Sequence, residues 1–208
     1  MKIEKLKPYL HHIEFPSCED MCVHMLRFQE YTDSPKYRGT IFTFDEFKEW
    51  YSKEFGNGKF TYYDDWSGFN ISSDTLKVFY EGKFDPLSKE EKVILEKFKD
   101  IKGDFYIITT FENYKFNHET FPHEIAHAMF KFEPEYKKEV RATLKKKDFS
   151  DIHKLFKEKW CYHSAVFEDE THAFLLTNEE LLRESGVDTE KYQHTIRKLK
   201  KVFAKYNK

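Results

Sequence analysis

The sequence predicts an α+β fold on three observations: strand-like runs lie in the first half, helix-start signals recur along it, and almost everything after residue 117 reads as helix. With 208 residues the chain is long enough to bury one substantial core. No internal repeat, low-complexity tract or Pro/Gly/Ser-rich linker marks a boundary, so a single domain over 1–208 is expected. Within it, 1–116 is an aromatic-rich α+β part and 117–208 a helical part. Aromatic residues make up 18% of the chain, with 22 Phe and 13 Tyr, which predicts a core built from rings rather than aliphatic branches.

Ser17, Thr43 and Ser88 each stand three residues before an acidic side chain, Asp20, Glu46 and Glu91. That is the spacing at which a hydroxyl and a carboxylate cap a helix start, and it predicts helices over 18–31, 44–55 and 89–99. Gly56-Asn57-Gly58 ends the second of these. KFTYY (59–63) and TLKVFY (75–80) carry aromatic and β-branched residues and read as short strands around the turn-rich DDWSGFNISSD. Trp66 to Asn70 within that turn either plugs the core or lines a cleft. DFYIITTF, from Asp104 to Phe111, is the strongest strand. Helices are expected over 118–131, 135–146, 151–161, 164–176, 178–185 and 189–206, forming a bundle against the small sheet.

Composition excludes several classes of function. Lys plus Arg (35) nearly cancel Asp plus Glu (37), so no global field attracts nucleic acid or anionic membrane. Arg197 to Lys208 holds six basic residues and no acidic one, with Leu199, Val202, Phe203 and Tyr206 at helical spacing. A terminal helix that docks its apolar side and leaves its lysines in water accounts for this pattern, and nucleic-acid binding is not expected. The longest apolar runs fall far short of the roughly 20 residues a membrane span needs. The start, MKIEKLKPYLHH, meets Pro8 and two histidines where a signal peptide would be apolar. Three cysteines, Cys18, Cys22 and Cys161, suggest no disulfide framework, and a cytoplasmic setting is expected. Cys18 and Cys22 share an i, i+4 spacing near His24, His11 and His12. Core cysteines explain that better than a second metal site, because no second pair completes a four-ligand set.

The chemistry concentrates in FPHEIAHAMF, where His123-Glu124-Ile125-Ala126-His127 matches H-E-x-x-H inside a helical segment. Residues four apart stand one above the other on a helix, so both imidazoles can reach one metal ion while Glu124 projects to the side. A shuffled chain of this composition would contain the pattern roughly one time in twenty, so the surroundings must carry weight. A good strand lies upstream, the intervening residues are apolar, and an acidic helix follows downstream.

The pattern resembles the zincin metallopeptidases, whose gluzincin branch takes a third zinc ligand from a glutamate on a later helix. Here that helix is FEDETHAFLL (167–176), with two candidates, Glu170 and Glu168, about 200° apart on the helical wheel. Glu170 shares its face with Val166, Phe167, Ala173 and Phe174 and is preferred. Asp169 to Phe174 also looks like the D-E-x-x-A-aromatic pattern of small zincin-like proteins of bacteria and their phages. Glu168 remains an alternative, although His172 then stands where gluzincins usually place Asp, Asn or Glu.

The resemblance implies a zincin-like fold, one Zn2+ ion held by His123, His127 and Glu170, and hydrolysis of peptide bonds by metal-activated water with Glu124 as general base. It also implies a protein or peptide substrate bound as an added strand along Asp104 to Phe111. Tyr162 and His163 are candidates for stabilising the oxyanion, with structural roles at a helix junction as the stronger reading. The alternative function is a noncatalytic zincin-like module that binds metal and recognises a protein.

Overall fold

The computed structural model describes residues 1–112, 117–160 and 162–207, with side chains throughout except at 117 and 118. The chain divides into two compact units, Met1–Asn117 and His118–Lys208.

The first unit begins with a hairpin, β1 (Lys2–Lys7) and β2 (Leu10–Phe15), followed by helices α1 (Cys18–Asp33), α2 (Phe44–Glu54) and the single turn α3 (Tyr62–Asp65). Strand β3 (Phe69–Ser72), helices α4 (Ser73–Tyr80) and α5 (Lys89–Phe98) and strand β4 (Tyr106–Phe111) complete it. The sheet order is β1-β2-β4-β3, with β4 parallel to β2 and antiparallel to β3. β4 therefore has a partner on each side, from Leu10↔Tyr106 to Phe15↔Phe111 on one and Phe69↔Thr109 to Ser72↔Tyr106 on the other. This corrects the expectation that it offers an edge to a peptide substrate, because over Tyr106 to Thr109 it is paired on both sides.

The three capping signals act as their spacing requires. Ser17 Oγ accepts from the Asp20 amide at 3.1 Å, while Thr43/Glu46 and Ser88/Glu91 close reciprocal capping boxes on α2 and α5. The strand assignments for 59–63 and 75–80 are overturned. TLKVFY lies in α4, which buries Thr75, Leu76 and Phe79 on one helical face and pairs Asp74 with Lys77 at 2.8 Å. Tyr62 starts α3 and is fully buried, donating from its hydroxyl to Glu30 Oε1 at 2.6 Å. Short aromatic and β-branched runs satisfy either periodicity, and packing decides between them.

Helix α1 packs on β2, β3 and β4. The core beside it is largely aromatic: Phe79 stacks on Phe84 at 4.0 Å, and Tyr62 meets Phe47 edge-on at 5.3 Å. Trp66 packs against Tyr62 and Phe69, which is the core reading of its turn. Cys22 is fully buried and its sulfur lies 3.9 Å from that of Cys18, which hydrogen-bonds to the Trp66 carbonyl at 3.1 Å. Cys161 lies outside the described residues.

The second unit is helical: α6 (Asn117–Phe132), α7 (Pro134–Leu144), α8 (Ser150–Glu158), α9 (Phe167–Thr177), α10 (Glu179–Glu184) and α11 (Gln193–Tyr206), with 3-10 turns at Ser164–Val166 and Glu190–Tyr192. Helix α9 is packed by α8, α10 and α11. The last helix buries Ile196 and Leu199 and leaves Arg197, Lys198, Lys200 and Lys201 in water, as its amphipathic spacing predicts. Tyr206 and Lys205 tie it to α7 through Glu139. Among the described residues no helix is long and apolar enough to cross a membrane.

Candidate metal centre

Two helices of the second unit build the site. Helix α6 carries His123, Glu124 and His127, and it is buried on nearly every face, from Ile125 and Ala126 to Ala128, Met129 and Phe130. Pro122 sits inside this helix immediately before the first histidine, where it cannot donate to the carbonyl one turn back. Helix α9 carries the half-buried Asp169 and then Glu170, which starts a run buried through Leu176.

Three ligand atoms converge. His123 Nε2 and His127 Nε2 are 3.1 Å apart, and Glu170 Oε2 lies 3.6 Å from each. A point equidistant from all three is about 2.0 Å from each, the length of a zinc–nitrogen or zinc–carboxylate bond. The separations also bracket the ~3.3 Å edge of a tetrahedron built on such bonds.

The surroundings fix which imidazole nitrogen faces inward. His123 Nδ1 lies 2.8 Å from Asn178 Oδ1 and 3.2 Å from Thr177 Oγ1. The one Thr177 hydroxyl proton has two acceptors in reach, Asn178 Oδ1 at 2.6 Å and the Ala173 carbonyl at 2.8 Å, and because Asn178 Oδ1 only accepts, His123 Nδ1 donates to it. His127 Nδ1 lies 2.9 Å from Asp169 Oδ1. Both Nε2 atoms thus turn toward Glu170, where either a shared proton or a metal ion can lie between them. Glu170 Oε2 is a buried carboxylate oxygen with no hydrogen-bond partner, which a bound metal would satisfy. The donor set of two imidazoles and a carboxylate suits zinc.

Electrostatics follow from burial and these neighbours. Burial, with His127 adding to it, lowers the His123 pKa to about 4. Burial works the same way on His127, but the Asp169 and Glu170 carboxylates outweigh it and hold that ring well above the ordinary histidine range. Burial raises Glu170 to about 7, against the pull of His127. Asp169, despite burial that would raise it, is held low by His127 and His172. Glu124 is buried, 7% exposed, and its charge acts on both histidines.

The two candidate third ligands part company here. Glu170 is buried beside the histidines, whereas Glu168 is exposed and held by the Arg141 guanidinium of α7 through contacts of 2.8, 3.0 and 3.2 Å. Opposite directions on one helix produce this separation. His163 is exposed and its Nδ1 accepts from the Ala165 amide at 3.2 Å, capping the 3-10 turn. Tyr162 packs edge-on against Phe156, and its ring is 6.4 Å from Phe174, which lies 4.8 Å from His123.

Asp169, Thr177 and Asn178 are the site residues that sequence reading missed in these roles. Asp169 was visible only as part of a motif, and Thr177 and Asn178 lie at the C-terminal end of α9, where no spacing rule points to them. His172 is fully buried and stacks on Phe130, its Nδ1 3.3 Å from Asp169 Oδ1. Among the described residues, His123, His127 and Glu170 form the one group of three or more His, Cys, Asp or Glu side chains with metal-ligand spacing, so no such set gathers at Cys18 and Cys22. In comparisons with known proteins, no family model, no curated protein and no solved structure matches this chain.

Proposed function

We propose that the protein is a zinc-dependent metallopeptidase in which His123, His127 and Glu170 hold one zinc ion and Glu124 is the general base. The reading rests on one observation, the convergence of two imidazole Nε2 atoms and an otherwise unpartnered carboxylate oxygen within 3.6 Å of one another. Zinc held there would supply Lewis acidity toward a carbonyl and acidify a water molecule to a pKa of about 7.

The chain's own groups divide the remaining work. Asn178 and Asp169 orient the two histidines, as outer partners of metal-binding imidazoles commonly do. Glu124 stands next to a ligand histidine without belonging to the ligand triad, the position from which a carboxylate can take a proton from the attacking water and return it to the leaving amine. The resemblance of HEIAH and DETHAF to gluzincin motifs supports peptide bonds as the substrate class. A cytoplasmic location accords with the few cysteines.

Burial favours a second reading. His123, Glu124, His127 and Glu170 each expose no more than 9% of their surface, which suits a metal held for structure or recognition without turnover.

Metal analysis of protein purified without added zinc tests the site. Wild type and Glu168→Gln are expected to carry about one zinc per chain, and Glu170→Gln and His123→Ala little. A wild type that takes up no zinc sinks the proposal. New protein termini in a cell lysate treated with wild type, and absent with Glu124→Gln, separate the peptidase from the binding module; identical termini favour the latter.

A further inference from the structure

The first unit carries a groove that the metal centre does not explain. Its volume is about 750 Å3, and it lies between α1, the start of α2 and the segment leading into α5. Three large apolar side chains of its wall are solvent-exposed although the core is close by: Val23 (37%), Ile41 (45%) and Phe44 (37%). Buried Phe42 and Phe84 lie beneath them. Apolar side chains gathered in one concavity, rather than scattered singly over the surface, mark an interaction site.

Carboxylates outnumber cations in the lining of this groove. Arg27 reaches the groove, but Glu91 neutralises it through a buried two-point ion pair, and two further N–H groups go to the Phe84 and Pro86 carbonyls. Lys83 is paired with Glu81 at 2.7 Å. Asp45, Glu46, Asp85 and Glu90 line it as well, with Lys89 3.4 Å from Glu90 and Lys36 acting on Glu46, so an excess of carboxylates remains. Glu46 caps α2 while keeping its charge. An apolar trough with a carboxylate rim complements a segment whose apolar side chains are flanked by lysine or arginine.

We propose that this groove docks a short basic and apolar peptide segment of a partner protein. Large apolar side chains of the segment cover Val23, Ile41 and Phe44, and its cations sit over Asp45, Asp85 and Glu90. The inference uses the first unit alone and stands or falls independently of the metal centre.

Fluorescence anisotropy with the full chain tests it. The probes are three labelled twelve-residue peptides: alternating leucine and lysine, alternating leucine and glutamate, and alternating glycine and lysine. The leucine–lysine peptide is expected to bind saturably at 50 mM salt and the other two at least tenfold more weakly. Ile41→Ser with Phe44→Ser should weaken that binding about tenfold or more, and Asp45→Asn with Glu90→Gln about fivefold. All four positions are at the surface or rim, and thermal unfolding of each variant checks that the fold persists. No saturable binding up to millimolar peptide, equal binding of the glutamate or glycine peptide, or affinity unchanged in either double variant overturns the proposal.

Discussion

The Nδ1 of His123 lies 2.8 Å from Oδ1 of Asn178, a residue 55 positions further along the chain and just beyond the helix that carries Glu170. Asn178 thereby fixes the tautomer of a proposed ligand that it does not itself resemble. Its amide nitrogen lies 3.5 Å from Glu119 Oε2, so the asparagine is held from both ends.

Removing that orientation should weaken metal binding without emptying the fold. Asn178→Ala is expected to lower zinc affinity about 10- to 100-fold, measured by competition with a chromophoric chelator, while Asn178→Asp retains most of it. Equal affinities for wild type and Asn178→Ala would mean that the contact is incidental.

Glu168 should matter little to the metal and little to stability. Its pairing with Arg141 is exposed, and exposed pairs contribute about 0–1 kcal/mol. Urea unfolding of Glu168→Gln should therefore shift by less than about 1 kcal/mol. A large loss would show that the pair anchors α9 to α7 more firmly than its exposure implies.

Arg27 and Glu91 should behave in the opposite way. Both are buried, and Glu91 also caps α5 through Ser88. Arg27→Met strands a buried carboxylate and should cost about 3–5 kcal/mol in urea unfolding. Adding Glu91→Gln should recover part of that loss, since glutamine carries no charge and still fills the capping box. A double variant as unstable as the two single losses summed would contradict this coupling.

Glu30 gives a pH dependence with a definite sign. Burial raises its pKa from 4.5 to about 7, although the Tyr62 and Ser34 hydroxyls pull it down. The folded state thus holds this proton more tightly than the unfolded chain does. Its contribution is full below pH 4.5 and is lost as pH rises toward 7, by about 3 kcal/mol over that interval. Comparing wild type with Glu30→Gln, which keeps an acceptor for Tyr62, isolates this share from the histidines. Parallel pH–stability curves for the two proteins would refute it.

How much of this was legible in advance varies with the range of the interaction responsible. The capping boxes at Thr43 and Ser88 were readable because donor and acceptor lie three residues apart. The α6 and α9 helices were readable because their apolar and ligand positions repeat along one helix. The β1 and β2 hairpin was not, because KIEKLK is a charged edge strand whose exposed side chains carry no strand-like alternation. TLKVFY went wrong because six residues fit two periods, and only the burial of Leu76 and Phe79 on one side selects the helix.

At the candidate site the same division holds. That His123 and His127 share a face follows from their spacing alone, since on a helix of 3.6 residues per turn they have no alternative. The sequence also narrowed the third ligand to two glutamates pointing opposite ways. Which of them meets the histidines depends on helix packing, which buries Glu170 against α6 and turns Glu168 to Arg141. That packing alone brought Asn178 and Asp169 to the two Nδ1 atoms, because contacts between helices depend on how their faces pack and no local spacing encodes them.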